Sequence, residues 1–147
     1  MYAFSDMAGS TACVSGAGFC GSATTGLASA TVWGAGIGVN LNQMATSTTA
    51  GIYAAPTAST GVTYALSSAP TGTVYLVIDN AGTAYYATIT AASGSVPWAM
   101  FGTTPWTTAT NKALAGAPQM ATHLQIQLSA GTAASSFNFC VTSLKIM

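Results

Sequence analysis

Few residues in this chain can make or break bonds. Asp6 and Asp79 are the only side-chain carboxylates, His123 is the only imidazole, and Lys112 and Lys145 are the only cations; Arg and Glu are absent. Glycoside hydrolysis needs two carboxyl groups flanking one bond, a pair that would have to be Asp6 and Asp79. These lie at separate strand ends, and nothing in their flanks suggests a shared cleft. A Ser-His-Asp triad would need His123 as its base, but no G-x-S-x-G elbow accompanies it. Alternating with Gln125 and Gln127, His123 reads more simply as a polar position on a solvated sheet face. Gly34-Ala35-Gly36-Ile37-Gly38 has neither dinucleotide-binding nor Walker spacing. Inside an extended run, such glycines permit a bulge or a close approach of backbones. The chain therefore reads as non-catalytic.

Binding chemistry is better supplied. An exposed aromatic face stacks on the apolar face of a pyranose ring, and amides or hydroxyls complete the recognition. Tyr53, Tyr85, Trp98 and Trp106 are the aromatic candidates, with the Gln125 and Gln127 amides beside them. Tyr86 competes with Tyr85, because adjacent strand residues point to opposite faces and at most one of the two lies in the core. Trp33, among small apolar residues, reads as a core anchor. A structural Ca²⁺ would draw on Asp6 or Asp79 with backbone and Asn oxygens, although Asp79-Asn80 is equally an ordinary turn pair. No other cofactor is implied. Three cysteines, no C-x-x-C pair and one His argue against zinc. A disulfide is the more economical reading. Cys20–Cys140 would tie the two ends of the domain together, Cys13–Cys20 is the rival pairing, and three buried thiols is the remaining alternative.

The elements that would position these groups are strands. Thr73 to Asp79, rich in β-branched and aromatic residues, runs into the turn Asn80-Ala81-Gly82, and Thr83 to Thr90 returns as the second arm of a hairpin. His123 to Leu128 alternates strictly, with Leu124, Ile126 and Leu128 on one side. After a turn at Gly131–Ala134, Phe137 to Ile146 forms the last strand, with Phe137, Phe139 and Val141 on one face. Further strands are expected at Tyr2–Ser5, Thr31–Leu41, Val62–Ser67 and Val96–Phe101. Residues 43–60 and 102–121 read as long loops. The 147 residues fit one domain. Short strands between Gly, Pro and Ser-Thr turns predict an all-β, antiparallel β-sandwich with jelly-roll-like connections.

Zero formal net charge and no basic cluster argue against nucleic acid and against anionic lipid as partners. The stretch Leu27 to Leu41 is too short and too interrupted to span a bilayer, so no membrane insertion is expected. Met1 is followed by Tyr2-Ala3-Phe4, not by a basic region and an apolar run, so no signal peptide is visible.

Three blocks carry a resemblance. Gly18-Phe19-Cys20-Gly21-Ser22, Val32-Trp33-Gly34-Ala35-Gly36-Ile37-Gly38-Val39-Asn40-Leu41-Asn42-Gln43 and Phe137-Asn138-Phe139-Cys140-Val141-Thr142-Ser143-Leu144 are similar to bacterial extracellular β-sandwich domains. Such domains occur in secreted proteins and beside glycoside hydrolases, and look like carbohydrate-binding modules. The opening Tyr2-Ala3-Phe4-Ser5-Asp6 resembles their first strand. The resemblance implies an exported, galactose-binding-domain-like jelly roll in which Cys20 and Cys140 bond.

Two functions follow as expectations. One is a non-catalytic extracellular module for neutral polysaccharide. The other is a structural subunit that assembles with copies of itself into a filament, sheath or virion surface. The second draws on the charge-poor surface, an unpaired cysteine and sheet edges that lack the usual charged guards.

Overall fold

A computed structural model of the chain describes residues 1–6, 8–15, 19–104 and 109–147. Among these residues ten strands form two five-stranded sheets, in which all strand pairs are antiparallel. The strands are β1 (Tyr2–Ser5), β2 (Thr11–Val14), β3 (Cys20–Thr25), β4 (Gly34–Asn40), β5 (Gly61–Leu66), β6 (Val74–Asn80), β7 (Thr83–Ile89), β8 (Ser93–Pro97), β9 (Ala121–Ser129) and β10 (Ser135–Ile146). The first sheet runs β1-β4-β9-β6-β7 and the second β2-β3-β10-β5-β8. The expected all-β sandwich is what forms. Among the described residues no helix is long and apolar enough to cross a membrane.

Pairing between strands is nested. β6 pairs with β7, β5 with β8, β4 with β9 and β3 with β10, so the chain folds back on itself at the β6–β7 turn. That turn is Ala81-Gly82, with φ of 54° and 75°, the left-handed geometry of a tight hairpin. The two inward faces alternate as strands must. Val74, Leu76 and Ile78 of β6 and Leu124, Ile126 and Leu128 of β9 meet Phe137 and Phe139 of β10 and Val62, Tyr64 and Leu66 of β5 in one buried core.

Several local expectations need correction. β4 starts at Gly34 rather than Thr31, after a turn in which the Ser29 hydroxyl accepts from the Thr31 and Val32 amides. The strand expected at Val96–Phe101 ends at Pro97 and gives way to a 3₁₀ turn, Trp98–Met100. β2 and β3 were not expected at all.

The sheet edges carry almost no charge, but they are managed in other ways. β1 and β2 are four residues each, and β8 ends on a proline. β7 is covered by Gly102, whose amide and carbonyl bond those of Tyr86 at 2.9 and 2.8 Å. Short, proline-ended and covered edges are established ways to limit strand addition.

Cys20 and Cys140 stand directly opposite one another in the β3–β10 ladder and are joined by a disulfide across 120 residues. Cys13, on edge strand β2, is a free, exposed thiol.

Candidate functional site

The outward face of the first sheet gathers the chain's polar and aromatic groups. β9 sends His123, Gln125 and Gln127 to this face, because Leu124, Ile126 and Leu128 occupy the alternate, inward positions. β6 adds Tyr75 and Asp79, and β7 adds Tyr86, whose ring meets Tyr75 edge-on at 5.8 Å. Edge strand β1 contributes Tyr2 and Phe4, which register with Gly38 and Gly36 of β4. A Cβ on Gly36 would lie 2.2 Å from the Ile126 carbonyl and 2.7 Å from the Phe4 ring, and one on Gly38 would lie 2.6 Å from the Tyr2 ring. The outward glycines are thus the bare strip over which two aromatic rings lie. The phenol of Tyr2 accepts from Gln125 Nε2 at 3.0 Å, and His123 packs edge-on against its ring.

At the far end of this face a cleft of about 530 Å³ opens, lined by Ser29, Val32, Trp33, Tyr75, Tyr86 and Gln127. Trp33 is 47% exposed and stacks on Phe4 with centroids 6.2 Å apart and planes at 18°. Gln127 on the cleft floor is only 8% exposed. Its amide makes no hydrogen bond with another described residue and opens into the cleft, since no side-chain nitrogen or oxygen among the described residues is both buried and unpartnered. Burial pushes the Tyr75 phenol above its usual range, and burial together with the Asp79 charge does the same to Tyr86. Burial also raises Tyr2; its hydrogen bond with Gln125 works the other way, and Asp79 adds to the rise. All three phenols remain neutral hydrogen-bonding groups at physiological pH.

Asp6 clamps the wall of the cleft. Its Oδ1 accepts from the amides of Ala8, Gly9 and Ser10 at 3.0–3.1 Å. Its Oδ2 accepts from the Ser10 hydroxyl at 2.7 Å and from the Trp33 and Gly34 amides at 2.9 Å. Desolvation works to raise this carboxyl. The hydrogen bonds from Gly34, Ser10, Ala8 and Gly9 outweigh it and hold the group well below the usual carboxylate range. Six donors converging on two oxygens make a poor cation site, since their partial positive charges face the position a Ca²⁺ would take. Asp79 lies towards the other end of the sandwich. Its Oδ1 accepts from the Gly82 amide and the Thr122 hydroxyl, and Thr122 Oγ1 is 2.9 Å from His123 Nδ1. With its single proton given to Asp79, Thr122 accepts from His123 Nδ1–H. Among the described residues no group of three or more His, Cys, Asp or Glu comes together.

The structure redistributes the expected sugar-binding residues. Gln125 and Gln127 do share the outward face. Trp98 does not; at 3% exposure it is a core residue, tilted against Phe101, with its indole N–H donating to the Ser59 carbonyl at 3.0 Å. Tyr85 points inward and packs on the core, leaving Tyr86 on the outer face. Tyr53 bridges Ala121 at one end of the sandwich, where it lines an apolar cavity rather than the cleft. Trp106 lies outside the described residues. Trp33, expected in the core, is the exposed wall of the cleft. Its signal in the sequence was its place just before Gly34, outside the alternating run that buries Ala35 and Ile37.

Comparison with protein-family models, with curated proteins and with solved structures finds no match for this chain.

Proposed function

We propose that this protein is a non-catalytic, extracellular binding module for neutral polysaccharide, and that the glycan lies in the cleft between Trp33 and the Tyr75–Tyr86 pair. The observation that carries the reading is Gln127. A side chain 8% exposed overall, whose amide opens into the cleft without a partner among the described residues and with aromatic rings on either side, suits a neutral hydroxylated ligand. Trp33 supplies an open ring for stacking, and the neutral phenols supply directional hydrogen bonds. Among the described residues no charged side chain lines the cleft, in keeping with an uncharged ligand. The nested strand pairing supports a jelly-roll-like, galactose-binding-domain-like connectivity. The disulfide supports an oxidising, extracellular setting.

The test is electrophoresis through gels containing soluble cellulose, xylan or mannan derivatives. At least one should retard the native protein, with little dependence on salt because the contacts are uncharged. Trp33→Ala and Gln127→Ala should each weaken binding by roughly tenfold, about 1.4 kcal/mol. Free migration through all three gels and no signal on a glycan array would defeat the reading.

A further inference from the structure

The aromatic surface does not stop at the cleft. Phe4 and Tyr2 carry it along edge strand β1. Phe4 pairs with Gly36, which pairs in turn with Gln127; Tyr2 pairs with Gly38, which pairs with Gln125. Two successive outward rows of the sheet therefore hold the same set: an aromatic ring from β1, a glycine from β4 and an amide from β9. Rows on one face recur every two residues, about 7 Å along the strand, and the Tyr2 and Phe4 centroids are 6.1 Å apart. Trp33 continues the series into the cleft, 6.2 Å from Phe4.

The glycines decide how the rings lie. Gly36 and Gly38 face outward and are nevertheless buried, because Phe4 and Tyr2 cover them. With no Cβ beneath it, each ring lies low across β4. Both residues are only half-buried, so the side of each ring away from the glycine meets solvent. The Tyr2 ring is held further by Gln125 Nε2 on its phenol and by His123 at its edge. Rings fixed in this way lose little freedom when a ligand stacks on them. The planes of Trp33 and Phe4 differ by 18°, and those of Phe4 and Tyr2 by 49°. A ligand touching all three must twist along its length. A single hydrated chain can do that, and the flat face of a crystalline polysaccharide cannot.

A ring and an amide repeated in register suit a ligand that is itself a repeat. We infer that the ligand of the Trp33 cleft is an extended stretch of one linear polysaccharide chain, running alongside β4 from Trp33 over Phe4 to Tyr2, with a sugar face on each ring and Gln127 and Gln125 beside it. The inference rests on the cleft being a glycan site. It adds the class of ligand: a soluble linear chain several sugars long, not a free sugar or a crystal surface.

Titration calorimetry with cello-, xylo- and manno-oligosaccharides of two to six sugars tests it. For the series that binds, affinity should climb with length, by roughly three- to tenfold for each ring the ligand newly reaches, and then level off. Phe4→Leu keeps an apolar cover on Gly36 but removes the flat ring. It should cut the ratio of hexasaccharide to disaccharide affinity by about tenfold. Tyr2→Leu takes its place if circular dichroism shows Phe4→Leu to be unfolded. A disaccharide that binds as tightly as a hexasaccharide overturns the inference and leaves the cleft reading standing. So does a folded Leu variant with the native ratio, which would make the rings a cover for the glycines and nothing more. Binding to insoluble polysaccharide but to none of the oligosaccharides overturns it as well. Binding to no glycan of any length removes both readings.

Discussion

The Trp33 amide donates to Asp6 Oδ2 at 2.9 Å across 27 residues of chain. The Gly34 amide does the same. One carboxylate thereby fastens the end of β1 to the turn that opens β4, and sets the backbone that presents Trp33 to the cleft. One of the chain's two aspartates is here a framework element.

Asp6 should make stability depend on pH. Its folded value lies below the unfolded value of about 3.9, so its contribution is fully present above pH 4 and is lost as pH falls towards the folded value. Urea unfolding should show the native protein weakening as pH drops from 5 to 2. Asp6→Asn should be less stable at pH 7 by about 2 kcal/mol and nearly insensitive across that window. Parallel pH profiles for the two proteins would contradict the clamp.

Trp33 and Trp98 should part company. Trp98→Ala opens a hole in the core and strips a donor from Ser59, at a cost of about 3–5 kcal/mol. Trp33→Ala removes a half-exposed ring and should cost less than about 1 kcal/mol of stability while weakening binding to a polysaccharide gel by roughly tenfold. Equal thermal shifts for the two variants would refute this division.

The disulfide closes a loop of 120 residues. Replacing both Cys20 and Cys140 with Ala should cost on the order of 4–5 kcal/mol through the unfolded chain. Iodoacetamide should label the folded protein once, at Cys13. Peptide mapping that finds label at Cys20 or Cys140 without reductant would count against the pairing.

Gly36 and Gly82 should differ sharply under substitution by Ala. At Gly36 the new methyl would meet the Ile126 carbonyl and the Phe4 ring, and a cost of roughly 2–3 kcal/mol follows from the forced shift of β1. At Gly82 nothing stands within 4 Å, and only the φ of 75° is strained, for about 1 kcal/mol. Denaturation midpoints in the reverse order would show that the rings do not lie over the glycine strip.

What the chain's letters determined by themselves was whatever rests on periodicity. The hairpin of β6 and β7, with its Ala81-Gly82 turn, and the alternation of Leu124, Ile126 and Leu128 are local patterns, and they fold as written. β2 and β3 carry no such pattern, because Ala23, Thr25 and Gly21 are buried by being small. A Cβ on Gly21 would meet the Cys13 carbonyl at 2.5 Å and Ile37 at 2.8 Å, so close packing does there what large side chains do elsewhere. Only the tertiary structure decided which aromatics face water. Trp98 is buried because Ser59, distant in sequence, accepts its N–H, and Trp33 is exposed because Asp6 holds its backbone at the rim. Strand parity says that Tyr85 and Tyr86 diverge, but which one meets the core depends on how β6 and β9 stack over the opposing sheet. The Gln127 side chain gained its burial in the same way, from neighbours that converge only in the folded sandwich.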